Sequence, residues 1–287
     1  MDRTTIGKPD WIKVKLPTGG TWQHVGEVIS RHGLSTVCDE ARCPNKGACW
    51  GSGTATFMIL GDVCTRGCRF CAVRSASVGT PLRADEPEAL AAAARELGLR
   101  YVVVTSVDRD DLPDRGSAHF AACVAAIRSG SAETRVEVLV PDYAGTEIET
   151  VAAARPDVLA HNVETVRRLQ KVRDPRAGFD KSLATLIQAK RAGIGMTKSS
   201  VLIGLGETRD ELKECFAELA GAGVDTLVMG QYLRPSAREI PVVEYIHPDI
   251  FALYAEDARN LGFSTVVASP FARTSYRALE AWEAGAP

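Results

Sequence analysis

The chain has 287 residues, 45% of them hydrophobic and 24% charged, with a formal net charge of −2. This composition excludes a disordered chain, and the charge excludes the global basic field of a nucleic-acid-coating protein. No run of 18 apolar residues occurs, so neither a membrane nor nucleic acid is an expected partner.

The first segment, MDRTTIGKPDWIKVKLP, has no apolar core of signal-peptide length, and Asp2 and Asp10 fit poorly with a transit peptide. An intracellular, cytoplasmic protein is expected. In a reducing compartment its eight cysteines read as ligands or core residues before disulfides. The stretch GTWQHVGEVISRHGL has the pattern of a helix ending at Gly33. CDEARCPNKGACW then places Cys38, Cys43 and Cys49 at the spacing C-x4-C-x5-C, which matches no common zinc motif. Pro44 and Gly47 predict a turn-rich wrap there rather than a helix.

After residue 54 a rhythm sets in. The apolar runs ATFMIL, YVVVTS, RVEVLVP, VLAHNV, SSVLIGLG and TLVMGQYL read as buried strands. Between most of them lie the helical patterns EPEALAAAARELG, SAHFAACVAAIRS, TEIETVAAARP, DKSLATLIQAKRAG and TRDELKECFAELAGAG. Strand alternating with helix predicts parallel βαβ units. About six units predict an α/β fold with a partial (β/α)6-type parallel barrel; a doubly wound open sheet is the alternative. Cys123 and Cys215 fall in two of the helical patterns and read as small buried hydrophobes. The chain closes on FSTVVAS, a short apolar run, and PFARTSYRALEAW.

GDVCTRGCRFCAV follows the first of these strands. It sets Cys64, Cys68 and Cys71 at the strand's carboxyl end, where parallel α/β sheets carry their ligands. Gly61 and Gly67 allow a tight turn around a bulky group. Three thiolates on a four-iron cube leave one iron open. A zinc loop completed by a distant His or Cys is the competing reading.

The C-x3-C-x2-C spacing, with Phe70 before the last cysteine, resembles the radical S-adenosylmethionine (SAM) superfamily. In that superfamily the open iron chelates SAM, and an electron from the cluster cleaves it to a 5′-deoxyadenosyl radical. With the upstream trio added, the chain is similar to the lipoyl synthase family from about residue 10 to 280. HNVET at 161–165, VRDPRAGFD at 172–180, GLGET at 204–208, GQYLRPS at 230–236 and RTSY at 273–276 agree with it.

The resemblance implies a radical SAM partial barrel at 54–262, an extension at 1–53 with the auxiliary-cluster cysteines, and an extension at 263–287 with a serine ligand. It implies two [4Fe-4S] clusters and SAM as cofactors. Cys64, Cys68 and Cys71 would hold the catalytic cluster, and Cys38, Cys43 and Cys49 the other. The family's Arg-Ser-Ser-Tyr motif reads Arg273-Thr274-Ser275-Tyr276 here, so its ligand role carries to Ser275, with Thr274 a rival hydroxyl. An alkoxide is a hard partner for a soft centre, which suits a cluster that is broken down as a sulfur source. The implied reaction inserts two sulfurs at C6 and C8 of an octanoyl chain on a lysine. That lysine belongs to a lipoyl domain or a glycine-cleavage H-type carrier. An electron donor such as ferredoxin or flavodoxin and an iron–sulfur carrier for cluster rebuilding follow as partners. A biotin-synthase-like enzyme would keep its auxiliary cluster inside the barrel, and the cysteines before residue 54 weigh against it. A non-enzymatic iron–sulfur or zinc protein is the remaining alternative.

SAM needs groups at strand ends. Thr105 and Ser106 follow the second strand in TSVDRDDL and suit its amine or carboxylate. Asn162 and Glu164 end the fourth, where a carboxylate accepts both ribose hydroxyls. Gln231, Tyr232 and Arg234 end the sixth, and Lys198 is read as charge preceding the fifth. RRLQKVRDPRAGFDK holds Arg167, Arg168, Lys171, Arg173, Arg176 and Lys181. It reads either as a docking surface for an acidic carrier, with Arg173 or Arg176 turned to the cofactor, or as a solvated face.

Overall fold

The structure, a computed structural model, describes residues 7–13, 20–51 and 55–285. Helix α1 (Gly20–Arg31), strand β1 (Ser35–Thr36) and helices α2 (Val37–Glu40) and α3 (Lys46–Gly51) precede the βα rhythm. α1 buries Val25, Val28 and Ile29, one face at helical spacing. The wrap expected around the first cysteine trio is instead helical at both ends, with Pro44 in the turn between. Thr36 starts α2 by accepting the Asp39 N–H at 3.3 Å. Gly47 lies inside α3 against its propensity because Trp50 is buried against Trp22 of α1, ring centroids 4.9 Å apart. Tertiary packing outweighs the local preference.

The rhythm then runs β2 (Thr56–Ile59), β3 (Val63–Cys64), β4 (Arg74–Ser75), α4 (Glu86–Glu96), β5 (Tyr101–Ser106), α5 (Ser117–Gly130) and β6 (Arg135–Leu139). It continues with α6 (Thr146–Ala153), β7 (Val158–Ala160), a 3-10 turn (Arg167–Val172), α7 (Phe179–Arg191), β8 (Met196–Ile203) and α8 (Arg209–Gly221). It ends with β9 (Thr226–Gln231), α9 (Pro248–Arg259), β10 (Thr265–Ser269) and α10 (Ala278–Gly285). Among the described residues the main sheet has the order β1-β2-β5-β6-β7-β8-β9-β10. β1 is antiparallel to β2, and every other neighbour is parallel. The order never reverses, so the sheet has no topological switch point and is not doubly wound. The tail run contributes β10, a further parallel strand beyond the six expected.

β8 begins at Met196, which takes Lys198 into the strand; it is buried rather than flanking. Strands β2, β5 and β9 are buried almost throughout, as strands covered on both faces must be. Cys123 and Cys215 are buried in the helical layer. Among the described residues no pairing joins β10 to β1 or β2, so the sheet stays open along one seam. The chain after β10 crosses that seam. Gln231 N–H donates to Pro270 O at 3.2 Å, and Asn45 Nδ2 to Phe271 O at 2.7 Å. Gly230 has no room for a side chain because the Ala272 carbonyl occupies the place a Cβ would take. The expected division between residues 53 and 54 lies outside the described residues.

Candidate active site

The short ribbon of β3 and β4 brackets the cysteine loop. Gly61 enters it at φ +91°, and a Cβ there would strike the Thr80 hydroxyl. Gly67 has no such need: a Cβ would meet open space. Its role lies in its N–H, which donates to Asp174 Oδ2 at 2.9 Å. Thr65 N–H donates to Asp108 O at 2.9 Å and Arg69 N–H to Val172 O at 2.8 Å, so the loop is tied to the ends of two other strand connections.

Cys64, Cys68 and Cys71 all face one cavity of about 230 Å³. Backbone N–H groups already point at the sulfurs: Arg66 N–H reaches Cys64 Sγ at 3.4 Å and Asp174 N–H reaches Cys68 Sγ at 3.3 Å. Such donors stabilise thiolate ligands and tune a cluster. Burial pushes the Cys64 and Cys71 thiols up to about 12 and Cys68 to about 11, with nearby carboxylates, Asp108 for Cys64, adding to the effect.

Three thiols spread around a loop suit a polynuclear cluster, in which each sulfur binds a different iron. The donor set fits a cube.

The same cavity is lined by Phe70, Thr105, Ser106, Asn162 and Glu164, five of the seven residues expected to bind cofactor. Ser106 Oγ is buried with no partner, an open hydroxyl where a ligand's amine or carboxylate would satisfy it. Thr105 Oγ1 donates to Leu139 O at 3.0 Å. Burial raises the Glu164 carboxyl, while Arg173 and a hydrogen bond from Asn162 counter it. Asn162 Oδ1 in turn accepts from Thr274 Oγ1 at 3.1 Å, which joins the strand end to the C-terminal segment.

Arg176 and Gln231 are not in the cavity wall. Arg176 pairs with Asp174 at 2.9 Å. Gln231 donates to Tyr232 O and Glu244 O and accepts from Ile246 N–H, which fixes the loop after β9. Tyr232 and Arg234 serve the same loop through Ile240 O and Glu239 O. Of the two arginines offered for the cofactor, Arg173 lines the cavity. The basic segment is largely met by its own molecule: Arg167 by Asp180 and Glu218, Arg168 by Glu211, Arg176 by Asp174. These pairs leave Arg167, Arg168 and Arg176 at the surface.

Sequence reasoning missed Arg66, Asp108 and Asp142. Buried Arg66 lies between Asp108 at 3.4 Å, Asp110 at 2.8 Å and Asp142 at 2.8 Å. Arg66, Asp108 and Asp142 line the cavity, and the pairing with several carboxylates holds the guanidinium charged. The available signal was charge inside strand-end stretches, CTRGC, TSVDRDDL and VPDYAG.

The other trio lies beside the seam. Cys43 N–H donates to Cys38 O at 3.1 Å and Cys49 N–H to Asn45 O at 2.9 Å. Burial pushes the Cys38 thiol up to about 11 and also raises Cys43, which the Arg273 charge partly offsets. Cys49 and Tyr276 line one cavity. Ser275 is thus bracketed by Arg273, which acts electrostatically on Cys43, and by Tyr276, which faces the space beside Cys49. Thr274 is engaged with Asn162.

A family model described as the radical SAM superfamily matches residues 58–219. A lipoyl synthase from Anaeromyxobacter sp. (strain Fw109-5) is 52% identical over 280 residues, covering 96% of this chain and 95% of its own. One from Methanocella arvoryzae is 51% identical over 284 residues, covering 98% and 96%. Among solved structures, methylornithine synthase superposes with TM-score 0.55 at 13% identity over 87% of this chain and 82% of that one. The FeFe-hydrogenase maturase HydG from Carboxydothermus hydrogenoformans gives 0.55 at 17%, over 78% and 64%. At such identities these two likenesses speak to fold alone.

Proposed function

The chain belongs to the lipoyl synthase family of the radical SAM superfamily, and from that premise we propose how its residues divide the work. It is a radical SAM sulfurtransferase that inserts two sulfur atoms at C6 and C8 of a protein-bound octanoyl-lysine chain, with two [4Fe-4S] clusters and SAM as cofactors. Its substrate is a lipoyl carrier. When bound, the clusters and SAM supply the one-electron chemistry that opens unactivated C–H bonds and the sulfur that fills them.

Cys64, Cys68 and Cys71 hold the catalytic cluster, with one iron open to SAM. Ser106, backed by Thr105, takes the methionine end. Glu164, oriented by Asn162, accepts the ribose hydroxyls, and Phe70 and Arg173 complete the wall. Arg176 and Gln231 support this site from behind by fixing the loops around it. Arg66 neutralises the carboxylates beside the cysteine loop and keeps that wall in one conformation. Cys38, Cys43, Cys49 and Ser275 hold the auxiliary cluster, and Thr274, bonded to Asn162, is not the ligand. Residues 1–53 and 263–287 act as extensions that build this second site onto the barrel at 54–262. The buried, apolar-lined interior keeps water from the reacting chain. Ferredoxin or flavodoxin supplies electrons, an iron–sulfur carrier rebuilds the spent cluster, and the reaction takes place in the cytoplasm.

One observation carries this reading: three thiols, an unpartnered Ser106 hydroxyl and the Asn162–Glu164 pair face a single cavity. An anaerobic assay with SAM, dithionite and an octanoyl-lysine peptide, read by mass spectrometry, tests it. Lipoyl product is expected from the native chain. Cys38→Ala is expected to keep SAM cleavage and lose that product, and Cys68→Ala to lose both. Full sulfur insertion by Cys38→Ala would refute the division of labour.

A further inference from the structure

Inside the sheet, three strands converge on one ion pair that the reaction scheme leaves unused. Lys198 of β8 and Glu137 of β6 are both almost wholly buried, with Nζ 2.5 Å from Oε2. Tyr101 of β5 donates its hydroxyl to the same oxygen at 2.6 Å. The other carboxylate oxygen, Oε1, has no partner. Burying a lysine and a glutamate costs several kcal/mol per ion, and apolar residues of similar volume are often as stable or more so. The pair therefore calls for an explanation other than stability.

The lysine's remaining donors suggest one. An ammonium has three N–H groups, and a second reaches Thr274 O at 3.2 Å. Thr274 is thus gripped twice, by its carbonyl from β8 and by its hydroxyl from Asn162 just beyond β7. Ser275 is the next residue. Beyond it Ala278 packs on Tyr101 and Val103, so β5 also seats the start of α10. The segment from Thr274 to Ala278 is set by the barrel interior, while its flank at Phe271 is set by Asn45 of the first cysteine trio.

We propose that Lys198, oriented by Glu137 and Tyr101, is a positioning residue that presents Ser275 to the auxiliary cluster by holding the Thr274 carbonyl. The inference rests on the reading of Ser275 as fourth ligand. A weakly matched ligand that must let go and return during turnover needs an anchor that does not move with it, and Thr274 provides one.

The test replaces the charged group without leaving an orphan. The triple variant Tyr101→Phe/Glu137→Met/Lys198→Met removes the pair and its hydroxyl together, in the full-length chain reconstituted anaerobically. Thermal stability and 5′-deoxyadenosine formation are expected to stay near native. Lipoyl product per 5′-deoxyadenosine is expected to fall about 10²-fold, the scale of a 1 Å misplacement. In the iron-free protein, amides of residues 271–277 are expected to exchange hydrogen faster than in the native chain, a readout independent of cluster chemistry. Lys198→Gln, uncharged and one carbon shorter, draws the donor back from Thr274 O, already the longer of its two contacts, and it is expected to show the same two changes should the triple variant fail to fold. A native product ratio or unchanged exchange in the folded variant would overturn the proposal. Ser275→Ala, run alongside, separates the two readings. A fully active Ser275→Ala sinks the ligand assignment itself, whereas an inactive one beside a fully active clamp variant sinks only the clamp.

Discussion

Glu164 sits at φ +66°, in the left-handed region that costs a non-glycine residue about 1–3 kcal/mol. The sheet holds it there: its N–H donates to Ser200 O at 3.2 Å, and its C=O accepts Leu202 N–H at 2.8 Å. With the backbone fixed on β8, the carboxylate is left to the cavity beside Asn162 and Arg173. Replacing it by Gln removes a charge-assisted acceptor worth about 1.5–3 kcal/mol, so SAM should bind roughly 10- to 100-fold more weakly to Glu164→Gln. Equilibrium dialysis with reconstituted protein reads this directly, and native affinity would take Glu164 out of the site. Gly230→Ala makes a different prediction. Its Cβ would fall on the Ala272 carbonyl, a backbone atom that cannot rotate away. Overpacking of this kind costs about 1–3 kcal/mol. The cost should appear as a lower Tm together with lost sulfur insertion, and a native Tm would show that the segment yields freely. Glu164 was legible because its strand-end position and its chemistry are both local. Gly230 was not, because the atom that excludes its side chain lies on a segment far along the chain.

The helices owe their ends to local chemistry that can be tested one residue at a time. α8 opens with a capping box: Thr208 Oγ1 accepts the Glu211 N–H at 3.3 Å, and Glu211 Oε2 accepts the Thr208 N–H at 2.8 Å. Thr208→Ala should cost about 1 kcal/mol. In a chain of this size that lowers Tm by roughly 2–4 °C. SAM cleavage should be untouched, since α8 is in the outer layer; a loss of cleavage would connect this cap to the site. The alternation of strand and helix was readable because buried strands and amphipathic helices leave different periods in the sequence. The first cysteine trio was misread for the opposite reason. Four- and six-residue helices are too short to show a period, and Pro44 and Gly47 spoke louder than Trp50, whose burial against Trp22 decides the outcome.

At the scale of the whole molecule the sheet is a ribbon with an open seam, and its C-terminal crossing reaches the segment of the first cysteine trio through Asn45. Truncation after Ser269 removes the crossing and Ser275 together. Reconstituted iron is expected to drop from about eight to about four atoms per chain with SAM cleavage retained. Eight irons in the truncated chain would mean that the trio needs nothing from the C-terminus. The strand order was legible as a parallel, barrel-like α/β fold. The seam and what crosses it were not, because they depend on pairs such as Asn45 with Phe271, which no short window contains.

The distance along the chain between those two residues has a consequence for biosynthesis. Asn45 and Phe271 are 226 positions apart, which at about 5–20 residues per second is roughly 10–45 s of translation. Throughout that interval the first trio has emerged from the ribosome while its lid has not been synthesised. The loop carrying Cys64 to Cys71 gains its own strand neighbours far sooner. The nascent chain can thus shelter one set of thiols early, while the other stays uncovered until the segment around Phe271 has been made.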